Sequence, residues 1–183
     1  MRAFTKLLLT IGLIMTLTDS ARAADPENTL VMETKHGTVV IEMFPDVAPN
    51  HVARIKELTR QGFYDGIVFH RVMDGFMAQT GDPTGTGTGG SGQKIDAEFS
   101  TVPFTRGTVG MARAQSPNSA DSQFFIMFDE GAFLNGKYTV WGRVIEGMEA
   151  VDMIKKAPAG RQSGQVDDPD HIVSMKVQAD IAQ

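Results

Sequence analysis

Short apolar runs of alternating pattern, each closed by glycine or proline, make up most of this chain and leave room for only two helices. Leu30–Thr34 and Thr38–Phe44 flank Lys35-His36-Gly37, a spacing that predicts a β-hairpin. Further strands are expected over 67–73, 76–80, 108–113, 124–128, 138–145 and 172–178. In the last of these Val173, Met175 and Val177 alternate with Ser174, Lys176 and Gln178, the period of a half-buried strand. Helical spacing occurs twice. Val52, Ile55 and Leu58 behind Pro49 predict a helix over 49–60, ended near Gly62. Met148, Val151 and Ile154 predict a second over 146–156. Many short strands with glycine-rich turns and two helices argue for a closed β-barrel or a sandwich.

Residues 1–23 have a different character. Arg2 and Lys6 precede an apolar run from Leu7 to Leu17, and Ala21-Arg22-Ala23 follows with the small-x-small pattern of a cleavage site. The run is shorter than the about 20 apolar residues of a membrane span. A cleaved signal peptide over 1–23 is therefore expected, with a single domain over 24–183, no membrane attachment after cleavage, and export. The chain contains no cysteine, which excludes disulfides, zinc thiolate sites and thiol nucleophiles. Its formal net charge of -5 is dispersed along the sequence, so nothing favours nucleic-acid binding.

Chemistry concentrates in two stretches. Phe69-His70-Arg71-Val72-Met73-Asp74-Gly75-Phe76-Met77-Ala78-Gln79-Thr80-Gly81-Asp82 sets a cation and an amide among large apolar side chains. Ser122-Gln123-Phe124-Phe125-Ile126 repeats the pairing of amide and aromatic. Arginine in an apolar strand is costly to bury unless it is paired, so Arg71 is either an exposed edge charge or part of a site. Strand alternation places His70 on the face opposite Arg71, as a packed histidine. Phe76, Met77, Met111, Phe124, Phe125, Phe133 and Leu134 taken singly read as core. The loop Gly85-Thr86-Gly87-Thr88-Gly89-Gly90-Ser91-Gly92 fits G-x-G-x-x-G, but Pro103 and the lack of a helical stripe after it argue against a nucleotide site. A flexible turn beside a groove is the better reading. The histidines His36, His51, His70 and His171 lack metal-ligand spacing. No G-x-S-x-G elbow is present for a hydrolase. Apolar walls, one fixed cation and a few amides suit gripping a peptide.

These residues resemble the cyclophilin family of peptidyl-prolyl cis-trans isomerases. Phe-His-Arg-x-x-x-Gly-Phe-Met-x-Gln-x-Gly-Asp stands at 69–82, Gly-Thr-Gly-Gly at 87–90, Gly-x-x-x-Met-Ala at 107–112 and Ser-Gln-Phe-Phe-Ile at 122–126. Leu134-x-Gly136-Lys137 and Gly142-x-Val144-x-x-Gly147-Met148 complete the series. The resemblance implies a closed eight-stranded antiparallel β-barrel capped by two α-helices, with an outer groove for a proline-containing peptide. It implies that Arg71 and Gln79 are catalytic. It implies a proline pocket of Phe76, Met77, Phe125 and Leu134, and a surrounding substrate-binding set of Met111, Ala112, Arg113, Gln123, Phe133 and Tyr138. No metal, nucleotide or redox cofactor is implied.

Three positions depart from the best-known eukaryotic members: Phe133 replaces a tryptophan, Tyr138 a histidine and Arg113 an asparagine. The single tryptophan, Trp141, lies in another strand. Phenylalanine and tyrosine at the first two positions resemble the secreted bacterial branch and point to the periplasm. Isomerase activity is expected to survive, while cyclosporin binding is expected to be weak because a phenyl ring lacks the indole N–H. The expected partners are proline-containing peptides and unfolded exported proteins, met by a monomer. The rival reading is a non-catalytic proline-peptide binder or chaperone using the same groove.

Overall fold

The computed structural model describes residues 24–181, so the expected signal peptide over 1–23 lies outside the described residues. Eight strands form one antiparallel sheet: β1 (Thr29–Thr34), β2 (Gly37–Met43), β3 (Arg71–Met73), β4 (Met77–Thr80), β5 (Thr108–Met111), β6 (Phe124–Met127), β7 (Val140–Glu146) and β8 (Ile172–Val177). Their order is β3-β4-β6-β5-β7-β2-β1-β8. The β1–β2 hairpin turns where the sequence places it, with Thr34 opposite Gly37.

The expected closed barrel is corrected to a curled half-barrel. Edge strands β3 and β8 are not paired as strands. They approach through an isolated bridge, Val68–His171, supported by bonds from Phe69 N to Asp170 O at 2.8 Å and from Ile172 N to Ile67 O at 2.9 Å. The expected strand 67–73 therefore shrinks to β3. Its outer edge is taken by a strap at 163–166: Val72 N donates to Gly164 O and Val166 N to His70 O. In β8 the expected alternation fails at Val173, which is exposed, because the pairing with β1 shifts register between Glu33 and Thr34.

Helix α1 (Pro49–Arg60) matches its apolar stripe and buries Val52, Ile55 and Leu58. Ala48 gives it no side-chain cap. Glu98, from a distant loop, supplies one: its carboxylate accepts from Asn50 N at 3.1 Å and His51 N at 3.0 Å, and meets His51 Nδ1 at 2.6 Å. Helix α2 (Met148–Asp152) is shorter than the stripe predicts. Lys155 N is drawn to Asp170 Oδ2 and Ala157 N to Val72 O, so tertiary acceptors replace the helical ones.

The sheet buries both faces near the centre. Phe124 and Ile126 of β6 point into the main core with Val109, Met111 and Trp141, whereas Phe125 and Met127 point outward into a second cluster with Met77, Phe104, Leu134 and Val140. This period-2 split explains why β6 is apolar throughout.

Removing the distant cap tests the tie between α1 and the loop. Glu98→Ala is expected to cost about 1–2 kcal/mol of stability at neutral pH, read from the denaturation midpoint. Burial raises the Glu98 pKa, but the bonds from His51 and Asn50 outweigh it and leave the carboxyl below its ordinary value. Its stabilisation is thus present above about pH 4.3 and is lost as pH falls through the folded value, so wild type and variant are expected to converge in acid.

Candidate active site

The outward-facing cluster forms the floor of a cavity of about 360 Å³ on the convex side of the sheet. Phe76, Met77, Phe125, Leu134, Ala112 and Tyr138 make its apolar half. The close approach of two rings beneath it depends on Gly110: a Cβ there would lie 2.5 Å from Phe104 and 2.6 Å from Phe125. Those two rings stack with centroids 5.7 Å apart, and Tyr138 meets Phe125 edge-on at 6.0 Å.

The polar half is built around Arg71. Its register partner across the β3–β4 hairpin is Gln79, whose neighbour on β6 is Phe125. Same-face side chains of three adjacent strands are thereby brought together. Arg71 Nη1 donates to Gln79 Oε1 at 3.1 Å, Nε to Ser163 O at 3.0 Å, and Nη2 contacts Met73 Sδ at 3.1 Å. A guanidinium has five N–H donors, so two on the terminal nitrogens have no partner among the described residues. Every partner named is neutral. Burial pushes the Arg71 pKa below its ordinary value, against which Tyr138 acts, and the group stays charged.

The hydrogen bonds run in one direction away from Arg71. Gln79 Nε2 donates to Gln123 Oε1 at 2.9 Å, and Gln123 Nε2 donates to Gly87 O at 3.1 Å and Gly89 O at 2.8 Å. The end groups force both amide orientations. Carbonyls only accept, so the Gln123 NH₂ must face the loop; a guanidinium only donates, so the Gln79 oxygen must face Arg71.

The glycine-rich loop at the far end is tied down. Asp82 accepts from Thr84 N, Thr84 Oγ1, Gly87 N and Gly89 N. Burial raises the Asp82 pKa, yet these donors outweigh it and hold the carboxyl at about 2. Asp121 does the same for Ser91 and Gly92, and its pKa too is lowered on balance. The expected flexible turn is therefore an anchored rim, and Gly87 stands against the His70 ring.

The remaining expected site residues divide. Gln123 lines an adjoining depression that shares Gln79, Gly87, Ala112 and Arg113 with the cavity. Phe133 is 62% exposed and packs on Phe76 at 5.4 Å, outside the cavity lining. Met111 is in the main core, because strand alternation turns it inward with Val109. Trp141 lies in the same core, against Phe124. His70 is buried, as expected of a packed histidine, yet it also belongs to the cavity lining, and neither ring nitrogen has a partner among the described residues. Burial, opposed by Asp82 and assisted by Arg71, lowers its pKa. Gly85 and Thr86 line the cavity, as a glycine-rich turn beside a groove would, whereas Ser163 and Gln165 also line it and carry no periodic signal that would have found them.

Comparison with known proteins gives a consistent picture. Residues 29–177 match the family model "Cyclophilin type peptidyl-prolyl cis-trans isomerase/CLD". A protein of Brucella suis described as a probable peptidyl-prolyl cis-trans isomerase is 54% identical, over 94% of this chain and 91% of its own length. A peptidyl-prolyl cis-trans isomerase of Synechococcus elongatus is 40% identical, over 83% of this chain and 97% of its own. Among solved structures, the cyclophilin AquaCyp293 of Hirschia baltica superposes with a TM-score of 0.76 at 32% identity, covering 86% of this chain and 76% of that one. A Cryptosporidium parvum cyclophilin-type isomerase, crystallised in the presence of the dipeptide Ala-Pro, gives 0.74 at 30% identity, covering 81% and 98%.

The strap offers a test of how Arg71 is held. Gly164 has φ +72°, and a Cβ there would lie 2.5 Å from Met73 Cγ and 3.1 Å from Arg71 Cγ. Gly164→Ala is expected to lose about 1–2 kcal/mol from the left-handed backbone alone. It is also expected to push the strap away, so that the Arg71 Nε–H signal in ¹⁵N NMR broadens into solvent exchange. A sharp, unshifted signal would show that the strap does not hold the guanidinium.

Proposed function

Because the chain belongs to the cyclophilin-type peptidyl-prolyl cis-trans isomerases, and is an isomerase of X–Pro bonds, we propose that Arg71 is its catalytic residue and the adjoining apolar cavity its proline pocket. The observation that carries this reading is a guanidinium with two unassigned N–H groups, held by neutral acceptors at the edge of an apolar cavity.

The chemistry asks for little more. Rotation about a peptide bond is resisted by about 18–20 kcal/mol because the C–N bond has double-bond character. Uncatalysed X–Pro isomerisation takes tens to hundreds of seconds. As the bond twists, resonance is lost, and the prolyl nitrogen becomes pyramidal and able to accept a hydrogen bond. Phe76, Met77, Phe125 and Leu134 would hold the ring while the preceding carbonyl swings. Arg71 would donate to the charge that develops only on twisting, a fixed electrostatic effect that requires no proton transfer. Gln79 orients Arg71, and Gln123 fixes Gln79 against the loop. The Cryptosporidium parvum relative studied with Ala-Pro supports a proline dipeptide as the minimal ligand.

The reading extends to place and partner. The leader pattern of residues 1–23 supports export to the periplasm, where a monomer would act on unfolded exported proteins. Fractionation with N-terminal sequencing is expected to find the protein in the periplasm beginning at Ala24; a cytoplasmic protein that keeps its leader would overturn this part. Size-exclusion chromatography with light scattering is expected to give the monomer mass.

Arg71→Ala is expected to lower kcat/KM on an Ala-Pro peptide about hundredfold, equivalent to about 2.7 kcal/mol, with peptide Kd changed less than about threefold. Arg71→Lys is expected to recover little, since an ammonium cannot bond Gln79 and Ser163 while still presenting a planar fork. Exchange NMR on the peptide reads both. Unchanged turnover in Arg71→Ala would sink the assignment, and binding without faster exchange in the wild type would replace it with a pure binder.

A further inference from the structure

Arg113 stands on the rim of the cavity, where a cation invites assignment as a contact for peptide charge. Its bonding argues otherwise. Nε donates to Lys137 O at 3.2 Å and Nη2 to the same oxygen at 2.9 Å. Nη1 donates to Ala114 O at 2.9 Å and Gln115 O at 3.1 Å. Four of the five N–H groups are therefore taken by backbone carbonyls of two separate segments, one after β5 and one before β7, which leaves one on Nη2. Among the described residues no carboxylate bonds to it. Its flat face lies over the Tyr138 ring, with Cζ 4.5 Å from the ring centroid. Tyr138 in turn lines the cavity and meets Phe125 edge-on.

These contacts form a short chain of support. The planar fork clips 114–115 to 137, and the same plane covers the outer face of Tyr138. A cation over a ring is attracted by its quadrupole, and the fork geometry sets the plane that the ring must match. Without the clip the ring has Phe125 against its edge and its Arg113-covered face open to solvent.

We propose that Arg113 is a positioning residue that acts through Tyr138: it fixes this ring as the wall of the proline cavity and makes no contact with substrate charge. The proposal rests on the reading of that cavity as the peptide site. Loosening a wall weakens the hold on ground state and transition state alike, so the effect falls on KM rather than kcat. It is also independent of peptide charge.

The test is a double-mutant cycle on the full chain, assayed on neutral and acidic X-Pro peptides of matched length. Arg113→Ala is expected to raise KM about fivefold on both peptides, with kcat changed less than twofold. In a Tyr138→Leu background the same substitution is expected to change KM less than 1.5-fold, because the group it positions is gone. Arg113→Lys, which keeps the charge and the rim, is expected to raise KM about threefold, since an ammonium cannot span the carbonyls of both segments. The chain has 2 tyrosines, of which Tyr64 is fully buried, so ¹³C-tyrosine labelling reports Tyr138 directly. Its ring signals are expected to shift and sharpen toward free flipping in both Arg113 variants. A KM loss confined to the acidic peptide, an equal loss in the Tyr138→Leu background, or unmoved Tyr138 signals would each overturn the proposal. A wild type that binds the peptide without accelerating exchange would remove the isomerase reading while leaving the Tyr138 signals to decide the role of Arg113.

Discussion

A positive charge held without being neutralised is the constraint on which this structure turns. A carboxylate beside Arg71 would bind it more tightly than an amide does, but would also consume the field that the proposed role of Arg71 requires. Arg71 is instead held by an amide oxygen, a backbone carbonyl and a thioether. The nearby anions are bound elsewhere. Asp82 and Asp121 are nearly buried and satisfied by backbone N–H groups of the glycine-rich loop. Through Gln123 that loop then orients Gln79, and through Gln79 it orients Arg71. Negative charge contributes to the site as rigidity, at a distance, and leaves the guanidinium field intact.

The second requirement is an apolar floor next to that cation, which the sheet meets by burying both faces. On β6 alternate residues belong to different clusters, so one strand serves the core and the cavity together. The site lies on the outside of the half-barrel because the inside is filled. Each wall of the cavity is supported from behind: Phe125 by Phe104, Tyr138 by Arg113, and Arg71 by the strap at 163–166. Such support suits a reaction in which the substrate rotates and the protein holds still.

Much of this is legible in the sequence. The hairpin of β1 and β2, helix α1 and the short strands β4, β5 and β6 follow from period and punctuation, since local side-chain alternation and backbone geometry share one cause. Motif spacing also singles out Arg71, Gln79 and the aromatics that line the cavity. Period failed where tertiary bonds outcompete local ones. Helix α2 stops because Lys155 N and Ala157 N find partners across the fold. Residues 67–70 leave the ladder and meet the segment before β8 through the single bridge Val68–His171, too little pairing to close the half-barrel. Met111 goes into the core, because its strand keeps strict alternation.

The residues by themselves determined which chemistry was possible: one arginine, two glutamines and a set of aromatics, with no thiol and no metal-ligand spacing. They also determined the strands that carry those groups, because alternation is a property of neighbours along the chain. Only the tertiary structure decided how Arg71 is held, that the glycine-rich loop is anchored, that Ser163 and Gln165 line the cavity, and that the Arg113 guanidinium is bonded to backbone carbonyls. The bonds of Arg71 to Ser163 O and of Arg113 to Lys137 O join segments distant in sequence through backbone carbonyls. Every residue type carries a backbone carbonyl, so the sequence bears no mark of which ones will be used.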